Sequence, residues 1–158
     1  MEKTNAMRQL DQKKIKYETK EYPHQEGEAV DGLTVARSTG ENPDQVFKTL
    51  VTVGNDKKNY VFVVPVSKEL DLKKCAKAVG VKNVELIEVK QINQLTGYIR
   101  GGCSPLGMKK TFHTVVDETA LLYDEIMFSG GKIGLQIKMN PLDLNKLIKV
   151  EFKDIKEG

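Results

Sequence analysis

The sequence predicts an α+β fold on a mixed sheet, and three observations carry that expectation. Short segments rich in β-branched and aromatic residues recur along the chain, separated by turn residues. Short amphipathic segments interrupt them at irregular intervals, unlike the regular alternation of a βαβ protein. With 158 residues, 39% of them hydrophobic and 30% charged, the chain is long enough to bury a core and reads as one domain over residues 1–158.

Thr4 stands where a helix N-cap is needed, and Met7 and Leu10 give the short helix after it an apolar face. Residues 17–22 read as extended and end at Pro23-His24. A second helix is expected over 34–38, stopped by Gly40. Asn42-Pro43-Asp44 turns the chain into a strand over 46–53. The polar turn Gly54-Asn55-Asp56 returns it as an almost continuous apolar strand over 60–65, a pattern expected at the centre of a sheet. Asp71 opens a helix to residue 79, capped by Gly80, with Leu72, Cys75, Ala76 and Val79 on its inner face. Residues 84–89 form a strand running into a short helix before Gly97. Strands follow over 114–117, 123–128 and 132–139, the last two pairing across Ser129-Gly130-Gly131. Asn140-Pro141 begins a final helix to residue 147, and 150–155 closes the chain as a strand.

The net charge of +3 and pI near 8.7 permit a nucleic-acid partner without demanding one. Cys75 and Cys103 lie far apart with no C-x-x-C, which suits a reducing compartment. The polar start over residues 1–10 lacks the apolar stretch of a secretory leader. The most apolar run, 60–66, is far too short to span a bilayer and contains Pro65. A soluble, cytoplasmic protein without a membrane partner is expected.

One stretch concentrates unusual backbone chemistry: residues 96–110, T-G-Y-I-R-G-G-C-S-P-L-G-M-K-K. Gly101-Gly102 followed by Ser104-Pro105 makes a tight loop whose N–H groups can receive an oxyanion or a carbonyl oxygen. On local chemistry alone the plainer reading is a hairpin connection whose glycines serve only the turn, since Gly/Pro clusters usually just punctuate a chain. Cys103 is the obvious nucleophile, with His113 ten residues on, yet the intervening residues carry no signature that would orient the pair. Two histidines, His24 and His113, without paired cysteines do not make a metal site, and no metal or cofactor is expected. Asp117, Glu118, Asp124 and Glu125 read as a solvated edge. Ser129-Gly130-Gly131-Lys132 lacks the spacing of a phosphate loop and reads as a hairpin. Lys48, inside an apolar strand, either reaches solvent from a sheet edge or provides a point charge for a phosphate or carbonyl. Lys73, Lys74, Lys77 and Lys82 form either a solvated helix face or a modest phosphate track.

Three blocks together bear a resemblance: F-K-T-L at 47–50, G-Y-I-R-G-G-C-S-P-L-G at 97–107 and S-G-G-K-I-G-L at 129–135. In this order and spacing the chain resembles, over essentially its whole length, the YbaK/EbsC family. These are Cys-tRNA(Pro) deacylases related to the editing domain of prolyl-tRNA synthetases. The resemblance implies a mostly antiparallel, barrel-like sheet with flanking helices. It also implies removal of cysteine from mischarged Cys-tRNA(Pro), with Cys-tRNA(Cys) a further substrate. The implied partners are the acceptor end of tRNA(Pro) and prolyl-tRNA synthetase. By position, Lys48 matches the essential lysine, placed to hold the 3′ end through phosphate or ribose, and Gly101 with Pro105 matches the loop that holds the aminoacyl carbonyl. Tyr22, Phe47, Thr49 and Ser129 match pocket positions, with Gly102, Ser104 and Gly130 as neighbouring substrate contacts. Cys103 is not a motif position. The family mechanism, with no protein nucleophile, has the substrate thiol attack its own ester carbonyl, a lyase-type cleavage, with attack by water the hydrolase variant. Two other readings are a tRNA- or synthetase-binding module without turnover and an editing hydrolase for Ala-tRNA(Pro).

Overall fold

The computed structural model describes residues 2–158; Met1, at which the polar start begins, lies outside them. Helix α1, Asn5–Gln12, starts as its sequence dictates: Thr4 Oγ1 accepts from the Met7 N–H at 3.2 Å. The same hydroxyl donates to the Gly130 carbonyl at 2.6 Å, so one residue caps the helix and fastens it to a distant hairpin. Strand β1, Glu18–Glu21, leads to α2, Gly32–Thr39, which ends at Gly40 with φ 70°.

Strands β2, Phe47–Gly54, and β3, Asn59–Pro65, form an antiparallel hairpin. Helix α3, Leu72–Val79, strand β4, Val84–Leu86, and helix α4, Val89–Thr96, follow. After the glycine loop come β5, His113–Asp117, β6, Ile126–Ser129, β7, Leu135–Met139, and β8, Val150–Lys153. Five strands lie in the order β4-β2-β3-β5-β8 and three in the order β1-β7-β6. The pairings β3–β5 and β5–β8 are parallel, and the other four are antiparallel. This is the expected mixed, mostly antiparallel α+β arrangement, with β3 central and buried along almost its whole length.

The sheet does not close into a barrel. The two sheets meet through an isolated parallel bridge, Val46–Met127, while β4 pairs with β2 only from Thr52 onward. Between those points the outer edge of β2 has no strand partner among the described residues, and the gap becomes a cavity. Between the sheets lies the main core, with Phe47, Val51, Val61, Val63, Phe128 and Ile137 packed against Met7 and Leu10 of α1. The opposite face of the larger sheet packs Phe62 and Val115 on Cys75 and Ala76 of α3, while Leu72 is 39% exposed and does not belong to that inner face.

Other expectations change in detail. The final helix is a 3-10 turn, Pro141–Lys146, because Asn140 accepts from the Leu142 N–H at its start and Asn145 takes the Val150 N–H just after it. A second 3-10 turn, Glu118–Leu122, intervenes before β6, which therefore begins at Ile126 and not at Tyr123. The last strand of the hairpin begins at Leu135, since residues 130–134 make the turn.

Asp117 is not on a solvated edge: it is fully buried. One carboxylate oxygen accepts from the Thr119 hydroxyl at 2.6 Å and the Thr119 N–H at 3.2 Å. The other accepts from the Ile155 N–H at 3.1 Å. Lys156 Nζ lies 3.8 Å away. A buried carboxylate persists only when its oxygens are occupied in this way. Replacing Asp117 by Ala removes all these bonds and strands the Ile155 N–H, so a loss of about 2–4 kcal/mol is expected in urea unfolding. A loss under about 0.5 kcal/mol would contradict this account. Lys74 likewise leaves the surface set, donating to Asp154 at 3.0 Å and to the Lys156 carbonyl at 2.8 Å, whereas Lys73, Lys77 and Lys82 are exposed.

Candidate active site

The open edge of β2 is one wall of a cavity of about 660 Å³. The chain returns to it from four other places. Tyr22, just past β1, lies beside Ser129 at the end of β6 and Gln136 on β7, whose strands are paired with Ser129 opposite Gln136. The segment 29–32 and Val35 of α2 form a second side. Ile87 and Ile92, before and within α4, form a third, and Arg100, Gly101 and Cys103 of the glycine loop complete the ring.

Two of these walls touch so closely that only glycine serves. Gly101 has φ 86°, in the left-handed region, and a Cβ there would stand 2.7 Å from Ala29 Cβ. No backbone or side-chain partner takes the Gly101 N–H among the described residues. The neighbouring Gly102 N–H is already used, donating to the Ile99 carbonyl at 2.9 Å.

Lys48 lines the cavity and is half-buried, with 32% of its side chain exposed. Its ion-pair partner is Glu69 at 3.9 Å, a carboxylate that is 77% exposed. So long and wet a pair holds the cation weakly, and Lys48 is available to a ligand. Arg100 supplies a second cation with no ion pair among the described residues. The one carboxylate in the lining, Asp31, is committed to capping α2, accepting from the Thr34 N–H at 3.1 Å and hydroxyl at 2.7 Å. The cavity therefore favours a ligand carrying negative charge at one end.

Of the residues singled out in the sequence, Tyr22, Phe47, Lys48, Thr49, Gly101 and Ser129 meet in this one cavity. Gly102, Ser104, Pro105 and Gly130 are not in its lining. Ser104 is fully buried and takes the Leu106 N–H at 3.3 Å; Pro105 faces a separate small cleft beside Gln9 and Met108. Gly130 donates to the Leu135 carbonyl at 2.9 Å to close the β6–β7 hairpin. These four shape the loops that carry the lining residues. Sequence reading missed Gln136 and Arg100. Alternation along β7 does set Gln136 and Lys138 apart from Leu135, Ile137 and Met139, but nothing local says that Gln136 meets β2.

Among the described residues no nucleophile–base pair is assembled. Burial pushes the Cys103 thiol up to about 11, despite a hydrogen bond with Thr96 that acts the other way, so it stays protonated near neutral pH. Burial, followed by the charges of Asp71 and Asp117, pushes Cys75 up to about 12. His113 is outside the cavity lining and pairs with Glu151 at 2.5 Å across β5–β8. Among the described residues no group of three or more His, Cys, Asp or Glu side chains gathers as metal ligands, and no helix is long and apolar enough to cross a membrane.

The family model of the aminoacyl-tRNA editing domain matches residues 28–147, the stretch that holds most of this cavity's lining, and the chain belongs to that family. EbsC of Enterococcus faecalis (strain ATCC 700802 / V583), a candidate Cys-tRNA(Pro)/Cys-tRNA(Cys) deacylase by name, is 46% identical over 98% of this chain and 93% of its own. A crystal structure described as a candidate trans-editing enzyme for prolyl-tRNA synthetase superposes with TM-score 0.82 at 27% identity, covering 98% of this chain and 96% of that one. The hypothetical protein APE2540 shares the fold, with TM-score 0.86 at 21% identity over 98% of this chain and all of its own.

Proposed function

We propose that this protein is a trans-editing deacylase that removes cysteine from mischarged Cys-tRNA(Pro), with Cys-tRNA(Cys) as a further substrate. The observation that carries the proposal is a cavity with cations and a free loop N–H but, among the described residues, no assembled nucleophile–base pair. Such a site suits a substrate that brings its own. The cavity has room for an aminoacyl-adenosine. Lys48 holds the ribose or phosphate of the terminal nucleotide, and the Gly101 N–H lies on the wall where the ester carbonyl would develop charge. Tyr22, Phe47, Thr49 and Ser129 surround the aminoacyl group, while Gly102, Ser104, Pro105 and Gly130 support it through the loops.

The step forms a bond between the substrate sulfur and the carbonyl carbon and breaks the ester C–O bond. The thiol proton passes to the departing ribose oxygen, leaving a four-membered thiolactone that water later opens. Confinement makes this intramolecular attack effective despite ring strain. A loop N–H directed at the developing oxyanion is worth about 3 kcal/mol in comparable sites. The protein acts beside prolyl-tRNA synthetase in the cytoplasm, because selection by size alone separates cysteine from proline poorly and a second sieve is needed.

Deacylation of Cys-, Ala- and Ser-tRNA(Pro) by wild type and Cys103→Ala tests the reading. Rapid loss of cysteine alone, unchanged in Cys103→Ala, is expected. Equal cleavage of all three esters would replace the substrate thiol with activated water, and tRNA binding without cleavage of any would leave a binding module.

A further inference from the structure

The hydrogen-bond pattern of β2 reveals what its open edge presents. Val66 donates to the Val46 carbonyl at 2.8 Å, and Gly54 donates to the Lys58 carbonyl at 2.9 Å, the two ends of the β2–β3 ladder. Antiparallel pairing alternates, so the even-numbered residues of β2 face β3 with their N–H and C=O, and Phe47, Thr49 and Val51 direct theirs the other way. Ile87 agrees, donating to the outward Val51 carbonyl at 3.2 Å. Thr49 thus turns one N–H donor and one C=O acceptor outward along the edge where no strand pairs, on the cavity wall.

Two buried side-chain atoms stand without a partner among the described residues: Thr49 Oγ1 and Gln136 Oε1. Both belong to residues that line this cavity. Gln136 is only 5% exposed. A buried amide without a partner opposes folding, so its presence calls for an explanation, and a ligand that completes it is one. An amide oxygen and a main-chain carbonyl call for a donor. The one carboxylate of the lining is already occupied at the cap of α2.

We infer that the Thr49 edge and Gln136 together form a site for the α-ammonium and ester carbonyl of the aminoacyl group, which docks as a one-residue strand added to β2. The inference rests on the aminoacyl-ester reading above; it assigns the α-ammonium, which that reading leaves open, and gives the ester carbonyl a second donor beside the Gly101 N–H. The ammonium donates to the Thr49 carbonyl and to Gln136 Oε1, and the ester carbonyl accepts from the Thr49 N–H. Main-chain pairing of this kind reads the common backbone of an amino acid and leaves selection among side chains to the rest of the cavity.

The test compares Cys-tRNA(Pro) with tRNA(Pro) acylated by 3-mercaptopropionate, which keeps the thiol and lacks the amine, using wild type and Gln136→Leu. Gln136→Leu breaks no hydrogen bond, so its melting temperature should not fall. The variant is expected to lose roughly 10- to 100-fold in kcat/KM on the cysteinyl ester and almost nothing on the des-amino ester. Equal loss on both, or none on the cysteinyl ester, overturns the inference while leaving the deacylase reading in place. Calorimetry with 3′-deoxy-3′-(cysteinylamino)adenosine and its des-amino counterpart reads the site without turnover. Binding that needs both the amine and Gln136 supports the ammonium site even if no ester is cleaved, in which case only the deacylase reading falls. Binding indifferent to either group, or no binding, overturns it.

Discussion

Lys48→Ala should lower kcat/KM for Cys-tRNA(Pro) by about 10²- to 10³-fold without a measurable change in stability. The two halves of this expectation have separate causes. The cation lines the cavity half-buried, and its ion pair is the 3.9 Å contact with a largely exposed glutamate. Removing such a pair should leave the unfolding midpoint within about 0.5 kcal/mol of wild type. On the proposed reading, removing the charge takes away the group that would hold the terminal nucleotide, and a small misplacement of reacting atoms costs orders of magnitude in rate. Lys48→Arg should recover only part of the activity, because a planar fork does not occupy the place of a compact ammonium. Single-turnover deacylation and urea unfolding check both halves. Full activity in Lys48→Ala would remove the residue from the site.

Gly101→Ala should damage folding and turnover together. The backbone there has φ 86°, and the added Cβ would stand 2.7 Å from the Ala29 methyl and 3.0 Å from the Ala29 main chain. Left-handed strain and forced separation of the two segments together cost about 1–3 kcal/mol. In a protein of this size the melting temperature should fall by roughly 3–10 °C. Because Gly101 and Ala29 both line the cavity, pushing them apart also moves the wall that carries the loop N–H. Ala29→Gly in the same chain removes the clash between methyl groups but relieves neither the strain nor the crowding against the main chain of residue 29, so it should restore part of the stability. An unchanged melting temperature and rate in Gly101→Ala would show that the loop has another conformation available. Lack of any rescue by Ala29→Gly would place the cost wholly in the backbone.

The elements with local causes were legible in the sequence. Thr4 caps α1, Gly40 and Gly80 stop α2 and α3 in the left-handed conformation, and the apolar run ending at Pro65 is the buried central strand. Each depends on the chemistry of a few adjacent residues. The 3-10 turns were less legible, since an N-terminal signal such as Asn140-Pro141 begins a 3-10 turn as readily as an α-helix. Asp117 and Asp124 look alike as acidic residues in a mixed stretch, yet one is buried by the Ile155 N–H and Thr119 while the other is exposed.

The same division runs through the site. The F-K-T-L block and the glycine loop pointed to Lys48, Thr49 and Gly101, but they could not separate Gly101, which faces the cavity, from Ser104 and Pro105, which do not. The class of fold, the family and part of the cavity lining, Tyr22, Phe47, Lys48, Thr49, Gly101 and Ser129, could be read from residue order alone, because caps, turns and strand patterning act over a few residues. Three features needed the folded chain: among the described residues the sheet stays open beside β2, Gln136 arrives there with its amide oxygen unpaired, and Cys103 lines the cavity while His113 pairs with Glu151 outside it. These facts depend on which strands pair across long separations. That choice is made by burial of the whole core and leaves no mark on neighbouring residues.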